Sequence, residues 1–266
     1  MNRIDKKFGE LKRLRRKVLV VYLAAGDPSL EKNKELVIAF EKDGVDLIEL
    51  GVPFSDPLAD GPVIQQASQR ALKRHTSLKK ILALVARLRK KTQIPILLMS
   101  YLNPLLRYGV SALARDAKRA GVDGFIVPDL PPEEGKEVSS LMRREGIHEV
   151  YLLAPTSPSA RIRLVTKASR GFIYYVSLTG VTGIRHRMSA ELEKKLKEIR
   201  KKNGLPVCVG FGVSTPAQAK KAASVSDGVI VGSAVVKALA EHPLMRAEEF
   251  SRRFVRPFVK AVKGER

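Results

Sequence analysis

The sequence predicts an α/β protein of the (β/α)8 TIM-barrel class, with extra short helices and a phosphate site, in a single domain over residues 1–266. Two observations support this fold class: eight short apolar, β-branched runs recur along the chain, and amphipathic stretches separate them. Such runs are typical of strands buried on both faces of a parallel sheet. A doubly wound open sheet is the alternative, but the first run ends in "AAGDPS" and not in the G-x-G-x-x-G of a dinucleotide-binding fold.

The predicted elements alternate in the order strand, helix, strand. The strands are the runs 18–26, 47–51, 95–101, 124–130, 150–155, 172–178, 206–212 and 228–234. Three of the helical stretches between them are 29–44, 111–121 and 133–146. Each begins near Ser, Asp or Pro and several end at Gly, which are start and stop signals of helices.

The chain is strongly basic, since 49 Lys and Arg residues against 27 Asp and Glu residues give a formal net charge of +22. A charge of this size attracts polyanions. The basic residues, however, recur at helical spacing between apolar ones, for instance in 86–91 and 192–202, as on the solvated faces of amphipathic helices. No nucleic-acid-binding motif accompanies them, so we expect no nucleic-acid partner.

The single cysteine, Cys208, lies in an apolar run and is predicted to be a buried core residue, so we expect no disulfide. The first 17 residues are too polar for a signal peptide, and no apolar run approaches the ~20 residues that span a bilayer. We therefore expect a cytoplasmic protein without a membrane partner. The four histidines show no metal-ligand spacing, so no metal is expected, and His186 is left without a role.

Acidic residues gather in the run "ELGVPFSDPLADGP", after the second predicted strand. Active sites of barrels lie at the carboxyl ends of the strands, where Glu49 is placed, and Asp60 follows eleven residues later. A partly desolvated carboxylate there has a raised pKa and can exchange protons near neutral pH. Each acid also has a structural alternative: an ion pair for Glu49, a loop cap for Asp60 and a turn for Asp56. The ion pair is disfavoured because no base lies between Lys42 and Arg70.

Glycines occur at the ends of the last three predicted strands: "GVTG" (180–183) follows the sixth, "GFG" (210–212) ends the seventh and "GS" (232–233) lies in the eighth. Barrels of this class often bind phosphate through backbone N–H groups at the loops of the last two strands and at the N-terminus of a short extra helix. The run "GSAVVKALAEH" is predicted to be that helix, with Ser233 near its start. Each glycine pair alone could be only a turn, but together they predict a phosphate site.

These motifs, together with "GDP" at 26–28 and "GSA" at 232–234, resemble those of the tryptophan synthase alpha chain family, from near residue 18 to the C-terminus. The resemblance implies the retro-aldol cleavage of indole-3-glycerol phosphate to indole and glyceraldehyde 3-phosphate, a step of tryptophan biosynthesis. It implies no metal and no organic cofactor. It also implies a partner, the tryptophan synthase beta chain, in an α2β2 heterotetramer.

The resemblance further implies roles for particular residues. Glu49 would donate a proton to the indole carbon and shuttle the proton of the glycerol hydroxyl, and Asp60 would contact the indole nitrogen. Asp56 is our candidate for signalling to the partner. The remaining substrate-binding residues implied are Tyr22, Tyr174, Gly183, Gly212, Gly232 and Ser233.

Three alternative functions stay open at this point. Two are enzymatic: a free-standing indole-releasing lyase, and another phosphate-binding barrel isomerase. The third is a polyanion-binding protein that uses the basic surface and has lost catalysis. The presence of both Glu49 and Asp60 argues against the third.

Overall fold

The computed structural model describes residues 1–176, 186–210 and 212–265, with side chains for all of these except 186–191, 202 and 203. Nine strands lie within this part of the chain, and every neighbouring pair that forms a ladder is parallel. They are β1 (Val18–Ala24), β2 (Leu47–Gly51), β3 (Ile96–Met99), β4 (Gly124–Ile126), β5 (His148–Glu149), β6 (Leu152–Leu153), β7 (Ile173–Val176), β8 (Val207–Gly210) and β9 (Gly228–Val231).

The sheet closes on itself because its two end strands are neighbours in sequence. The strand order is β5-β4-β3-β2-β1-β9-β8-β7-β6. Only Val150 and Tyr151 separate β5 from β6, and the first donates its N–H to Phe125 of β4 (2.9 Å) while the second accepts from Tyr174 of β7 (3.1 Å). The two end strands are therefore halves of one barrel strand. The predicted barrel is confirmed, but the prediction of one strand over 150–155 was wrong, because the strand begins earlier and is interrupted.

Helices pack against the barrel. They are α1 (Arg3–Arg13), α2 (Leu30–Lys42), α3 (Pro62–Lys73), α4 (Leu78–Arg89), α5 (Leu102–Tyr108), α6 (Val110–Ala120), α7 (Lys136–Arg144), α8 (Ser159–Ala168), α9 (His186–Asn203), α10 (Pro216–Val225), α11 (Ser233–Glu241), α12 (Ala247–Phe250) and α13 (Arg256–Lys263), with a π-helical turn at Ser251–Val255. The three helices predicted from start and stop signals are α2, α6 and α7. Ser29 acts as predicted at the start of α2, where its hydroxyl accepts the N–H of Lys32 (3.0 Å).

Helix α1 packs against the apolar interior of the barrel. Its buried residues Ile4, Phe8 and Leu11 recur at helical spacing, and the ring of Phe8 lies 5.5 Å from that of Phe172, just before β7. The predicted elements do not include this helix, and the polarity of the segment served only to exclude a signal peptide. The spacing of its three apolar residues is the signal that could have found it.

Side chains alternate between the inside of the barrel and the layer under the helices. On β1, Val20 and Tyr22 point inward, while Val21 and Leu23 pack in the outer layer. Cys208 is a buried residue of the inner layer, as predicted. Within the part of the chain that the structure describes, no helix combines the length and the apolar character that crossing a bilayer requires.

One basic residue departs from the predicted solvated faces. Arg89, within the run 86–91, is largely covered, and its guanidinium pairs with Asp123 (Nη2 to Oδ2, 2.7 Å) and donates to the carbonyl of Gly121 (2.8 Å). The prediction of a solvated face was wrong for this residue. Helical spacing cannot reveal that an acid 34 positions away lies under the helix.

Candidate active site

A cavity of about 320 Å³ opens at the carboxyl ends of the strands, where barrel enzymes carry their active sites. The structure brings most of the predicted site residues together in its lining. These are Tyr22, Glu49, Asp60, Tyr174, Gly212, Gly232 and Ser233. Gly183 and the rest of the "GVTG" run lie outside the described residues, as does Phe211 of "GFG".

Glu49 is buried at the third position of β2, opposite Tyr22 of β1 and Leu97 of β3. It is 1% exposed, and its Oε2 atom has no hydrogen-bond partner among the residues that the structure describes. Burial, and next the negative charge of Asp60, raise the pKa of Glu49 to about 8. A carboxyl group in this state keeps its proton at neutral pH and can give it to a bound molecule.

Asp60 reaches the same cavity from the loop between β2 and α3. Its backbone carbonyl accepts a hydrogen bond from the side chain of Gln65 on α3 (2.9 Å), and its carboxylate is hydrogen-bonded by Tyr101. Burial raises the pKa of Asp60 to about 6, and the bond from Tyr101 opposes that rise. Asp60 is therefore ionised at neutral pH, when Glu49 is protonated.

Two buried tyrosines complete the inner wall, and each needs a glycine on the next strand. A Cβ atom on Gly51 would lie 1.9 Å from the hydroxyl oxygen of Tyr22, and one on Gly210 would lie 2.6 Å from the ring of Tyr174. No side chain fits at either glycine unless a tyrosine moves. Burial is the main cause that raises the pKa of both tyrosines, so both hydroxyls keep their protons.

Two glycines of the cavity lining, Gly212 and Gly232, carry no side chain that would cover their backbone groups. Gly212 has a φ of +76°, in the left-handed region that favours glycine, and Gly232 directly precedes α11. Gly232 is the N-cap residue of this nine-residue helix and makes no side-chain cap bond, and the first helical residue is Ser233, as predicted. The N-terminus of a helix carries uncommitted N–H groups and partial positive charge, which suits a phosphate.

Sequence reasoning missed the apolar part of the lining. It consists of Val63, Ile64, Met99, Val213 and Ile230, which contact the cavity from α3, from strands and from the loop after β8. Asp56 is exposed and lies outside this lining. The described residues contain no group of three or more His, Cys, Asp or Glu that could hold a metal, and the side chain of His186 is not among those described.

Apolar walls, two carboxyl groups in opposite protonation states and an exposed helix N-terminus at strand ends define a (β/α)8-barrel enzyme that uses acid–base chemistry. A family model described as the tryptophan synthase alpha chain matches residues 8–262. The chain belongs to this family.

Individual relatives agree with this assignment. The chain is 54% identical over 237 residues to the tryptophan synthase alpha chain of Geotalea daltonii, covering 89% of this chain and 90% of that one. It is 49% identical over 264 residues to the same protein of Geotalea uraniireducens, with 99% and 97% covered. Among solved structures, tryptophan synthase subunit alpha from Legionella pneumophila superposes with a TM-score of 0.92, at 38% identity and 99% coverage of both chains.

A further solved structure is a ligand-free tryptophan synthase from M. tuberculosis, with a TM-score of 0.88, 33% identity, and 99% of this chain and 100% of that chain covered. The predicted family, fold class and function, a lyase of tryptophan biosynthesis, are thereby confirmed. Members of this family are alpha subunits, whose partner is the beta chain.

Proposed function

We propose that the chain performs its family's reaction, the cleavage of indole-3-glycerol phosphate, with Glu49 as the proton-transferring group and Asp60 as its ionised neighbour. The observation that carries this assignment is the buried Oε2 atom of Glu49, which has no partner among the described residues, in a cavity that Asp60 also lines. A buried polar atom without a partner costs free energy, so its retention points to a task with a bound molecule.

Glu49 performs two proton transfers. It first gives its proton to C3 of the indole ring, which makes the ring an electron acceptor. It then takes the proton of the glycerol hydroxyl next to that carbon; the hydroxyl becomes the aldehyde carbonyl, and the electrons of the broken C–C bond return to the ring. Glu49 ends protonated, as it began, with the proton of the hydroxyl in place of the one now on C3, and the products are indole and glyceraldehyde 3-phosphate.

Asp60 assists because the ring nitrogen becomes positively charged when C3 is protonated. An ionised carboxylate that accepts a hydrogen bond from the ring N–H stabilises that charge, which is absent from the ground state. The difference in pKa between Asp60, about 6, and Glu49, about 8, supports this division of roles.

The other lining residues of the cavity fit the indole ring and the phosphate of the substrate. The apolar lining fits an indole ring, with Tyr22 and Tyr174 beside it. The substrate's phosphate binds the backbone at Gly212 and Gly232 and at the start of α11, where Ser233 adds a hydroxyl group. Gly183, the fourth residue of the implied phosphate set, stays a prediction.

The assembly and location that we propose rest on membership of the family. We expect an α2β2 heterotetramer with a tryptophan synthase beta chain, which would consume the indole, in the cytoplasm. A free-standing lyase is the alternative, and the strongly basic surface, with a net charge of +22, keeps a polyanion-binding role as an outcome to test.

The test is indole release from indole-3-glycerol phosphate by the purified chain, with and without a beta chain from the same genome. Glu49→Gln should lower the rate about 10²-fold or more, because it keeps the shape and removes the transferable proton. Glu149→Gln is the matched control, because Glu149 is also buried and has a raised pKa but lies outside the cavity. Near wild-type release by Glu49→Gln, or no release by the wild type in either condition, would refute the proposal.

A further inference from the structure

Tyr101 lies next to the site without belonging to the described lining of the cavity. Ser100 separates it from the end of β3, and it is 5% exposed. Its hydroxyl oxygen accepts the backbone N–H of Ala59 (3.0 Å), and the same hydroxyl group is hydrogen-bonded to the carboxylate of Asp60. Since the N–H of Ala59 uses the oxygen as an acceptor, the single hydroxyl proton is the one donated to Asp60.

The ring of Tyr101 is also held in place. It stacks on Phe54, at the other end of the same loop, with ring centroids 5.3 Å apart. Phe54 in turn donates its N–H to the hydroxyl of Ser68 on α3 (3.0 Å). The tyrosine therefore contacts the loop that carries Asp60 at two separate places, and its hydroxyl group has a fixed position relative to the end of β3.

We propose that Tyr101 is a positioning residue for Asp60: its hydroxyl ties the backbone of Ala59 to the carboxylate of Asp60 and holds that carboxylate, ionised, in the cavity. The inference rests on the proposed role of Asp60. A hydroxyl donor favours the charged form of a carboxylate. Burial, and next Asp60 itself, raise the pKa of Tyr101, so the phenol keeps its proton over the whole working range of pH.

Other titratable groups also face Asp60. Its charge acts on Tyr22, Glu49 and Tyr174, which reach the cavity from β1, β2 and β7. The two tyrosines remain neutral because burial raises their pKa, and Glu49 ionises only near pH 8. A change in the acidic limb of the pH profile, near pH 6, therefore reports on Asp60 and its donor.

The test is Tyr101→Phe, which keeps the ring on Phe54 and removes both hydrogen bonds of the hydroxyl. We expect kcat for indole release to fall about tenfold with KM changed less than about twofold, because a misplaced group affects the transition state more than substrate binding. We also expect the acidic limb of the pH profile to move up by about one pH unit, because the carboxylate loses a donor. Circular dichroism and thermal unfolding check that the variant is folded.

The matched control is Tyr108→Phe, since Tyr108 also gives its hydroxyl to a carboxylate, that of Asp116 (2.7 Å), away from the cavity. It should leave kcat and the acidic limb unchanged. Wild-type kcat and an unmoved limb in Tyr101→Phe would overturn the inference, and so would a lower kcat without a shift of the limb, which a merely structural role predicts. Failure of the proposed function differs from both, because the wild type itself would then release no indole.

Discussion

The carboxyl group of Asp60 raises the pKa of Glu49 inside the cavity that both residues line. Burial is the larger cause, and the result is a pKa of about 8 for Glu49 beside one of about 6 for Asp60. Between these two values Glu49 holds a proton and Asp60 is ionised, which is the state that the proposed mechanism needs. The same two values set the working range of pH.

We predict a bell-shaped pH dependence of kcat/KM for indole release. The rate should fall below about pH 6, as Asp60 takes up a proton, and above about pH 8, as Glu49 loses one. In Asp60→Asn, which should be severely impaired, the residual activity should have no acidic limb. Its basic limb should lie at lower pH, because the charge that raises the pKa of Glu49 is gone. If a limb near pH 6 persisted in this variant, another group would be responsible for it.

Glu49→Gln should raise the stability of the protein near neutral pH although it lowers the activity. The pKa of Glu49 is about 8 in the folded protein and 4.5 in the unfolded chain. Between these two pH values the carboxyl group holds its proton in the folded state but not in the unfolded state, so the native protein loses stability as the pH rises from 4.5 to about 8. Relative to the wild type, the free energy of unfolding of the variant should increase between pH 4 and pH 7 by about 3 kcal/mol. Urea unfolding of both proteins at the two pH values measures this difference, and equal pH dependence would show that the pKa of Glu49 is not raised.

Gly232→Asp should weaken binding of the phosphorylated substrate. The new carboxylate would lie at the start of α11 and repel the phosphate from the helix N-terminus. Gly232→Ala is the control, because a Cβ atom there meets only ordinary contacts, 3.4 Å from Tyr22. Gly212 is less suitable, since its φ of +76° would strain any side chain.

Two measurements check this prediction. The KM for indole-3-glycerol phosphate should rise at least about tenfold in Gly232→Asp and little in Gly232→Ala. Glycerol phosphate should compete with the substrate in the wild type and in Gly232→Ala. Unchanged KM in the aspartate variant would place the phosphate elsewhere.

The sequence predicts the barrel and the acid pair because both depend on local patterns. Buried parallel strands are continuous apolar runs, and Glu49 and Asp60 lie in one short motif whose position at a strand end follows from the strand itself. The interruption of the fifth barrel strand at Val150 and Tyr151 does not change the local sequence pattern. It depends on which neighbour each backbone group pairs with, and the residues stay apolar throughout.

Tertiary contacts account for the residues that sequence reasoning missed. Tyr101 reaches Ala59 across 42 positions, and Gly51 must be small because a tyrosine on the adjacent strand occupies its space. Neither requirement changes the local pattern, since Gly51 reads as part of an ordinary strand end. Such constraints become visible only from the register of β1 against β2. In that register Ala24 lies beside Gly51, and Tyr22, two residues before Ala24, lies beside Glu49.

The final prediction concerns Asp56, which lies in the loop that carries Asp60 but is exposed, hydrogen-bonded to Ser55 and outside the described lining of the cavity. If a beta chain binds the closed form of this loop more tightly, its addition raises the rate of indole release by a population shift. Asp56→Ala should then leave the slow activity of the isolated chain within about twofold of wild type while reducing its activation by beta at least about fivefold. Titration of each variant with the beta chain measures both quantities. Equal loss with and without beta would make Asp56 part of the catalytic site, whereas full activation would mean that another residue of the loop, such as the exposed Leu58, carries the contact.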